Sequence, residues 1–235
     1  MRQRTIKVAG LRIGIRTRRT LTIELCADYL CDEPPDFVVS ATETEIAGEE
    51  KNGFCYAYAE QVCLHRAIAA RVPDYDALVV HAAVIEHDGR AYAFAAPSGT
   101  GKTTHVQQYL ARFGDKIRVI CGDKPIFRLE NGAFFAYGTP WNGQEQLGTG
   151  GRAPLDAICF LTRGTENRIR PLTPQEALPR MLHQLYFPAD PDRRMKTLAL
   201  ADALLRGTRL YTLQCRPDAA AAELSCRTLC GSLPE

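Results

Sequence analysis

Ala96-Pro97-Ser98-Gly99-Thr100-Gly101-Lys102-Thr103-Thr104 is the stretch on which the reading of this 235-residue chain turns. It follows the apolar run Ala91 to Ala95 and opens a segment with Val106, Tyr109, Leu110 and Phe113 on one helical face. A strand, a glycine-rich turn, then lysine and threonine at a helix start form the layout of a phosphate-binding loop. Backbone N–H groups of such a loop point into one concavity, and the helix N-terminus adds partial positive charge. Gly99 and Gly101 let the backbone approach an anion without a Cβ in the way. Lys102 reaches toward terminal phosphates, and the Thr103 hydroxyl is placed to hold Mg²⁺, which prefers phosphate oxygens and keeps several waters. Pro97, Ser98, Thr100 and Thr104 complete the expected nucleotide-contacting set. The usual pattern is G-x-x-x-x-G-K-[ST]; here Ala96 stands at the first glycine, a position that favours negative φ. The competing reading is a glycine-rich turn that merely precedes a helix.

The totals set bounds. The length suits one sizeable core with a small second lobe. A hydrophobic content of 46% and a charged content of 24% are ordinary for a globular chain. A net charge of +2 gives no electrostatic case for a nucleic-acid or membrane surface, and no apolar run approaches a membrane span. Nine cysteines are scattered without C-x-x-C or zinc spacing, mostly within apolar runs. That usage reads as a reducing cytoplasm.

Taken in order, residues 5–16 read as a strand pair about Ala9-Gly10. Residues 20–29 read as a short helix stopped by Pro34-Pro35, and Phe37 to Val39 as another strand. Thr42 to Asn52 is polar, acidic and loop-like. Phe54 to Ala70 returns to helical spacing and ends at Pro73. Residues 1–75 are therefore expected to form a small α+β lobe, with recognition of a substrate as its functional alternative. Leu78 to Ile85, with His81 inside it, reads as one buried strand. Asp88-Gly89 signals a tight turn, so a hairpin is expected to feed the phosphate loop. Doubly wound nucleotide-binding folds start a parallel unit there instead.

After the loop helix, Ile117 to Cys121 reads as a buried strand that ends in Gly122-Asp123-Lys124-Pro125. An acid at the end of a strand after a phosphate loop is the usual second group on Mg²⁺; the alternative is a plain turn residue. A hairpin about Asn131-Gly132 follows. The glycine-rich stretch from Gly138 to Arg152 holds the only tryptophan, Trp141. It reads either as a lid over the site or as a surface loop whose tryptophan plugs the core. A strand at Leu155 to Leu161, a capping box at Thr173 to Glu176, two further helices and a strand at Leu210 to Leu213 complete the 76–235 domain. His105, just inside the loop helix, is expected at the surface.

His81-Ala82-Ala83-Val84-Ile85, the Asp88-Gly89 turn and Ser98 to Thr103 resemble the C-terminal catalytic domain of HPr kinase/phosphorylase. Ser98 to Thr104 also resembles the ATP-binding loop of phosphoenolpyruvate carboxykinase. Gly122 to Pro125 and Gly138 to Trp141 look closer still to small HPr kinase-like proteins of bacteria, some encoded beside peptide-modifying systems. The resemblance covers about residues 78–162. It implies an α/β P-loop fold of the HPr kinase and carboxykinase type: a mixed sheet with a hairpin before the loop. It also implies ATP- and Mg²⁺-dependent protein-serine kinase chemistry. Lys102 and Thr103 carry over as phosphate and Mg²⁺ ligands, Asp123 as one of two acids, and His81 as the nearby histidine. The first acid is replaced by Gly122, and HPr itself is not the expected substrate. Hexamers in that family imply a homo-oligomer.

The resulting expectation is a kinase acting on a hydroxyl of a peptide, small protein or metabolite, with Lys124 or Arg152 neutralising charge on the moving phosphoryl. The alternatives are a non-catalytic ATP-binding module and a carboxykinase-like enzyme.

Overall fold

The structure, a computed structural model, describes residues 1–231 and 233. β1 (Arg2–Val8) and β2 (Leu11–Thr17) pair as a hairpin whose turn places Ala9 and Gly10 at positive φ. Ile13 and Ile15 alternate with polar or small residues and are fully buried, as a one-sided sheet requires. α1 (Leu21–Leu25), β3 (Leu30–Cys31) and β4 (Phe37–Ser40) follow, giving a four-stranded sheet in the order β3-β1-β2-β4.

The stretch expected as a polar loop is helix α2 (Glu43–Glu50). The Thr42 hydroxyl accepts from the Glu45 N–H, and the Glu45 carboxylate accepts from the Thr42 N–H, a complete capping box. Only one large apolar residue, Ile46, is buried on it, so hydrophobic periodicity had almost nothing to report. α3 (Tyr56–Arg71) then crosses the sheet. Its Glu60 is fully buried and accepts the backbone N–H groups of Arg18 and Arg19 at 2.7 and 2.9 Å, tying the turn after β2 to α3.

The run expected as one strand at 78–85 is two. β5 (Ala77–Val79) pairs with a later hairpin, whereas β6 (Ala82–His87) pairs with its neighbours at the far end of the sheet. At the break, the His81 N–H donates to the Gln184 carbonyl and the Ala82 N–H to the Asp123 carbonyl. Apolar residues fill both strands and both faces, so the sequence carries no mark of the change of partner.

β6 turns through Asp88-Gly89 into β7 (Arg90–Ala95), which leads through the 96–101 loop into α4 (Lys102–Phe113). β8 (Arg118–Cys121) follows, then the β9 (Ile126–Glu130) and β10 (Ala133–Tyr137) hairpin. The chain continues through β11 (Arg152–Arg163), β12 (Arg168–Pro171), α5 (Pro174–Leu182), α6 (Pro191–Gly207), β13 (Arg209–Cys215) and α7 (Ala219–Cys230).

The large sheet has nine strands, in the order β5-β9-β10-β11-β7-β6-β8, with β13 on β11 and β12 on β13. β11 is parallel to β7 and β13, and the remaining pairs in this sheet are antiparallel, so the sheet is mixed. Successive residues of β6 point to opposite layers. Val84 packs with Met181 and Leu204 of α5 and α6, and Ile85 with Val106 and Leu229 of α4 and α7. A third core joins the small sheet and α3 to Ile126 and Tyr137 of the large sheet and to Trp141 in the loop after β10. The arrangement is mixed α/β, helices covering both faces.

Replacing Glu60 by Ala takes away the shared acceptor of the Arg18 and Arg19 N–H groups, at a net cost of about 0.5–1.5 kcal/mol for each hydrogen bond. Denaturant unfolding is expected to show a loss of that order for Glu60→Ala and a smaller one for Glu60→Gln, which keeps an acceptor.

Candidate functional site

The loop between β7 and α4 owes its path to two glycines. Gly99 has φ 75° and Gly101 φ 119°, and a Cβ at either would meet nothing within 4 Å. Glycine is needed there for conformation, not for space. Ala96 is not among the positive-φ residues, so its methyl costs nothing. The Arg163 guanidinium, reaching in from the end of β11, donates to the Gly99 carbonyl and, at 3.4 Å, to the Thr100 carbonyl.

Lys102 opens α4 and is only 7% exposed. Its Nζ donates to the Ala96 carbonyl at 2.9 Å and lies 2.8 Å from His81 Nε2. Burial pushes this amine down to about 8, against the attraction of Asp123. The same His81 Nε2 is 3.1 Å from Asp123 Oδ1, and Lys124 Nζ donates to Asp123 Oδ2 at 2.7 Å. One imidazole nitrogen offers either a proton or a lone pair, so it cannot serve Lys102 as acceptor and Asp123 as donor at once. Burial raises the Asp123 carboxyl, but hydrogen bonds from His81 and Lys124 and the Lys124 charge outweigh it and hold the group far below its ordinary range. Asp123 is an anion at any physiological pH.

These groups share a cavity of about 1060 Å³. Ser98, Gly99, Lys102 and Thr103 form one wall; Asp123 and Lys124 lie beside it. The cavity is also lined by Tyr58, Gln61, His65 and Arg66 of α3 and by Gln184 and Tyr186 after α5. Nothing in the sequence flagged those wall residues, because α3 reads simply as a helix with a buried face. His65 packs at a tilt against Trp141 with ring centroids 4.8 Å apart, and burial pushes its imidazole down to about 3, so it is neutral. Trp141 is a core residue, 8% exposed, while Gln144, Glu145 and Gln146 of the same loop are exposed at the cavity. Buried Thr139 fixes this loop: its hydroxyl donates to the Lys124 carbonyl at 2.8 Å and accepts the Trp141 N–H at 3.2 Å.

Gly122, which stands where the resemblance implies the first of two acids, has no room for a side chain. A Cβ there would overlap the Asn142 carbonyl oxygen, and the Gly122 N–H donates to Asn142 Oδ1 at 3.1 Å. Two further expectations are corrected. Arg152 does not line the cavity; it pairs with Glu130 and Tyr137 on the β9–β10 hairpin. His105 is buried, not exposed, because its ring packs edge-on to Phe94 and Tyr109 and its Nε2 meets the Ser225 hydroxyl at 3.2 Å. Pro97, Thr100 and Thr104 remain beside the loop, Thr104 on the cavity wall.

A family model described as SynChlorMet cassette protein ScmC matches residues 57–186, more than half of the 235-residue chain. The chain belongs to the ScmC family. The span that marks it as an ScmC-family member runs from the start of α3 to Tyr186 and includes every cavity-lining residue except Leu25. No curated protein sequence matches it. Among solved structures, this ScmC-family chain is similar to the Hpr(Ser) kinase/phosphatase from Coxiella burnetii. The two are 14% identical with a TM-score of 0.31, over 55% of this chain and 88% of that one. Among the described residues no helix is long and apolar enough to cross a membrane.

Two measurements test this geometry. Gly122→Ala and Gly122→Asp are expected to lose similar stability, about 1–3 kcal/mol by urea unfolding, since the overlap arises at Cβ. A loss confined to the aspartate variant counts against the packing described. NMR titration of the Lys102 side chain is expected to give a pKa near 8 in the free protein, rising when tripolyphosphate is added, because a polyanion favours the ammonium form. A free-protein value near the ordinary 10.4 for lysine is incompatible with the buried position.

Proposed function

We propose that this ScmC-family chain is an ATP- and Mg²⁺-dependent kinase that transfers the γ-phosphoryl group to a hydroxyl of a peptide, small protein or metabolite. The observation that carries this reading is the meeting of Lys102, His81 and Asp123 on one side of a cavity that the 96–104 loop enters. A buried ammonium at a helix N-terminus, beside glycines at positive φ, is suited to polyphosphate. On this reading the Ser98–Thr104 backbone and Lys102 cradle the phosphates. Asp123, fixed as an anion, orients the acceptor hydroxyl. As the bond from the γ-phosphorus to the leaving oxygen breaks and the bond to the acceptor oxygen forms, the hydroxyl proton passes to the Asp123–His81 pair and ADP departs. Catalysis is then positioning and charge neutralisation, with Lys124 free to turn from Asp123 to a phosphate oxygen.

The residues fit a cation that arrives on the nucleotide. Mg²⁺ takes oxygen ligands and commonly only one or two carboxylates besides phosphates and water. Asp123 and the Thr103 hydroxyl both line the cavity, while among the described residues no group of three His, Cys, Asp or Glu side chains could cage a metal. When bound, Mg²⁺ neutralises phosphate charge. Residues 1–75 are proposed as a lobe that frames the acceptor, since α3 supplies Tyr58, Gln61, His65 and Arg66 to the cavity lining.

The test is transfer of labelled γ-phosphate from Mg²⁺-ATP into cell extract split into proteins, peptides and small molecules. Label is expected in one fraction, falling by at least ~10²-fold with Lys102→Ala while the melting temperature is kept. Near-normal transfer by that variant sinks the assignment. ATP bound without label in any fraction points to a non-catalytic nucleotide-binding module.

A further inference from the structure

A second cavity, of about 440 Å³, opens on the other side of the loop. It is lined by Gln108 of α4, by Arg163 and Gly164 at the end of β11, and by Cys215 to Asp218 between β13 and α7. Gly101 and Thr104 line both cavities. Ser98, Gly99, Lys102, Thr103 and Asp123 belong only to the large one, and Thr100 only to the small one. The loop thus separates the space that holds Lys102, His81 and Asp123 from a recess that holds Arg163, Arg216 and Asp218.

We infer that the small cavity holds the nucleoside, base and ribose, of the nucleoside triphosphate whose phosphates lie on the loop. This rests on the phosphate reading of the loop given above. A triphosphate laid across Lys102 and Thr103 has two ends. Its γ-end must face Asp123 and the acceptor in the large cavity, so its α-end leaves across Gly101 and Thr104, the residues common to both spaces. The recess is within the range of small-molecule sites, roughly 300–1,000 Å³. Its walls suit a flat ring: two guanidinium groups able to stack on a base face, Arg163 and Arg216, with Pro217 beside them. The recess is also built rather than incidental. Asn167 Oδ1 accepts the Arg216 N–H at 2.8 Å, and Asn167 Nδ2 donates to Asp218, which Arg216 Nε also reaches at 2.9 Å. Buried His105, held neutral because burial pushes it down to about 4, closes the inner end without adding charge. Arg163 links recess to loop, since it donates to the Gly99 and Thr100 carbonyls. Its engagement by a base would be felt where the phosphates sit.

The test compares Mg²⁺-ATP with inorganic tripolyphosphate, by calorimetry, on the full chain. Gln108→Trp fills the recess from the partly exposed face of α4, and Pro217→Trp fills it from the exposed turn before α7, away from any helix interior. Either is expected to weaken ATP at least tenfold and to leave tripolyphosphate within about twofold. Tyr58→Trp, on the wall of the large cavity, is expected to leave ATP binding unchanged. ATP binding unaltered by both recess variants, or weakened by Tyr58→Trp instead, overturns the placement and puts the nucleoside in the large cavity. Failure of the unmodified protein to bind either ligand overturns the phosphate reading itself, and this inference with it.

Discussion

A lysine taken out of water at the start of a helix is the constraint on which the site depends. An ammonium buried without partners is too costly to keep, so the Lys102 side chain must find acceptors. It finds the Ala96 carbonyl within its own loop, and His81 Nε2 from the strand break lies 2.8 Å from it. Each partner then acquires a fixed place. The loop is drawn closed around its glycines, the imidazole is turned toward Asp123, and Asp123 is left between His81 and Lys124 with its carboxyl kept ionised. The amine remains lowered to about 8 in spite of these contacts, a resting state that a bound anion would relieve.

The break between β5 and β6 makes this meeting geometrically available. Had residues 77–87 run as one strand, His81 would have been a ladder residue with its backbone committed to neighbours on both sides. Instead its N–H goes to Gln184, Val80 bridges Leu185, and the Ala82 N–H takes the Asp123 carbonyl. The segment after α5 and the segment after β8 are thereby held on either side of His81. The third core, uniting the small sheet with Ile126, Tyr137 and Trp141, then brings α3 against the cavity as part of its lining. Gly122 belongs to the same economy of space. Its bare backbone lets the Trp141–Asn142 segment lie directly on the strand end, and that close approach is incompatible with the second acid that the neighbouring Asp123 invites one to look for.

Much of the architecture was legible because its signals are local. Asp88-Gly89 and Asn131-Gly132 marked hairpins through their tolerance of positive φ, and both residues of each turn adopt it. Thr173 and Glu176 marked a helix start through a capping box that the structure contains. The same box at Thr42 and Glu45 gives a weaker signal because almost no apolar residue follows it. His105 was misplaced for a related reason: a histidine in the first turn of a helix looks solvated until Phe94, Tyr109 and Ser225 are known to converge on it. Arg152 lies close in sequence to the glycine-rich loop, yet its nearest acid, Glu130, sits on an adjacent hairpin strand.

By itself the sequence determined the turn at 96–101, the lysine and threonine at the helix start, the acid after β8 and the apolar runs that make the flanking strands. Each depends on dihedral preference, hydrogen-bonding type or hydrophobic period within a few residues. Only the tertiary structure decided that His81, Lys102 and Asp123 touch, that Gly122 must stay bare and that α3 walls the cavity. Those facts arise from contacts between segments far apart in the chain, where two apolar strands look alike whichever neighbour they pair with, and packing alone chooses between them.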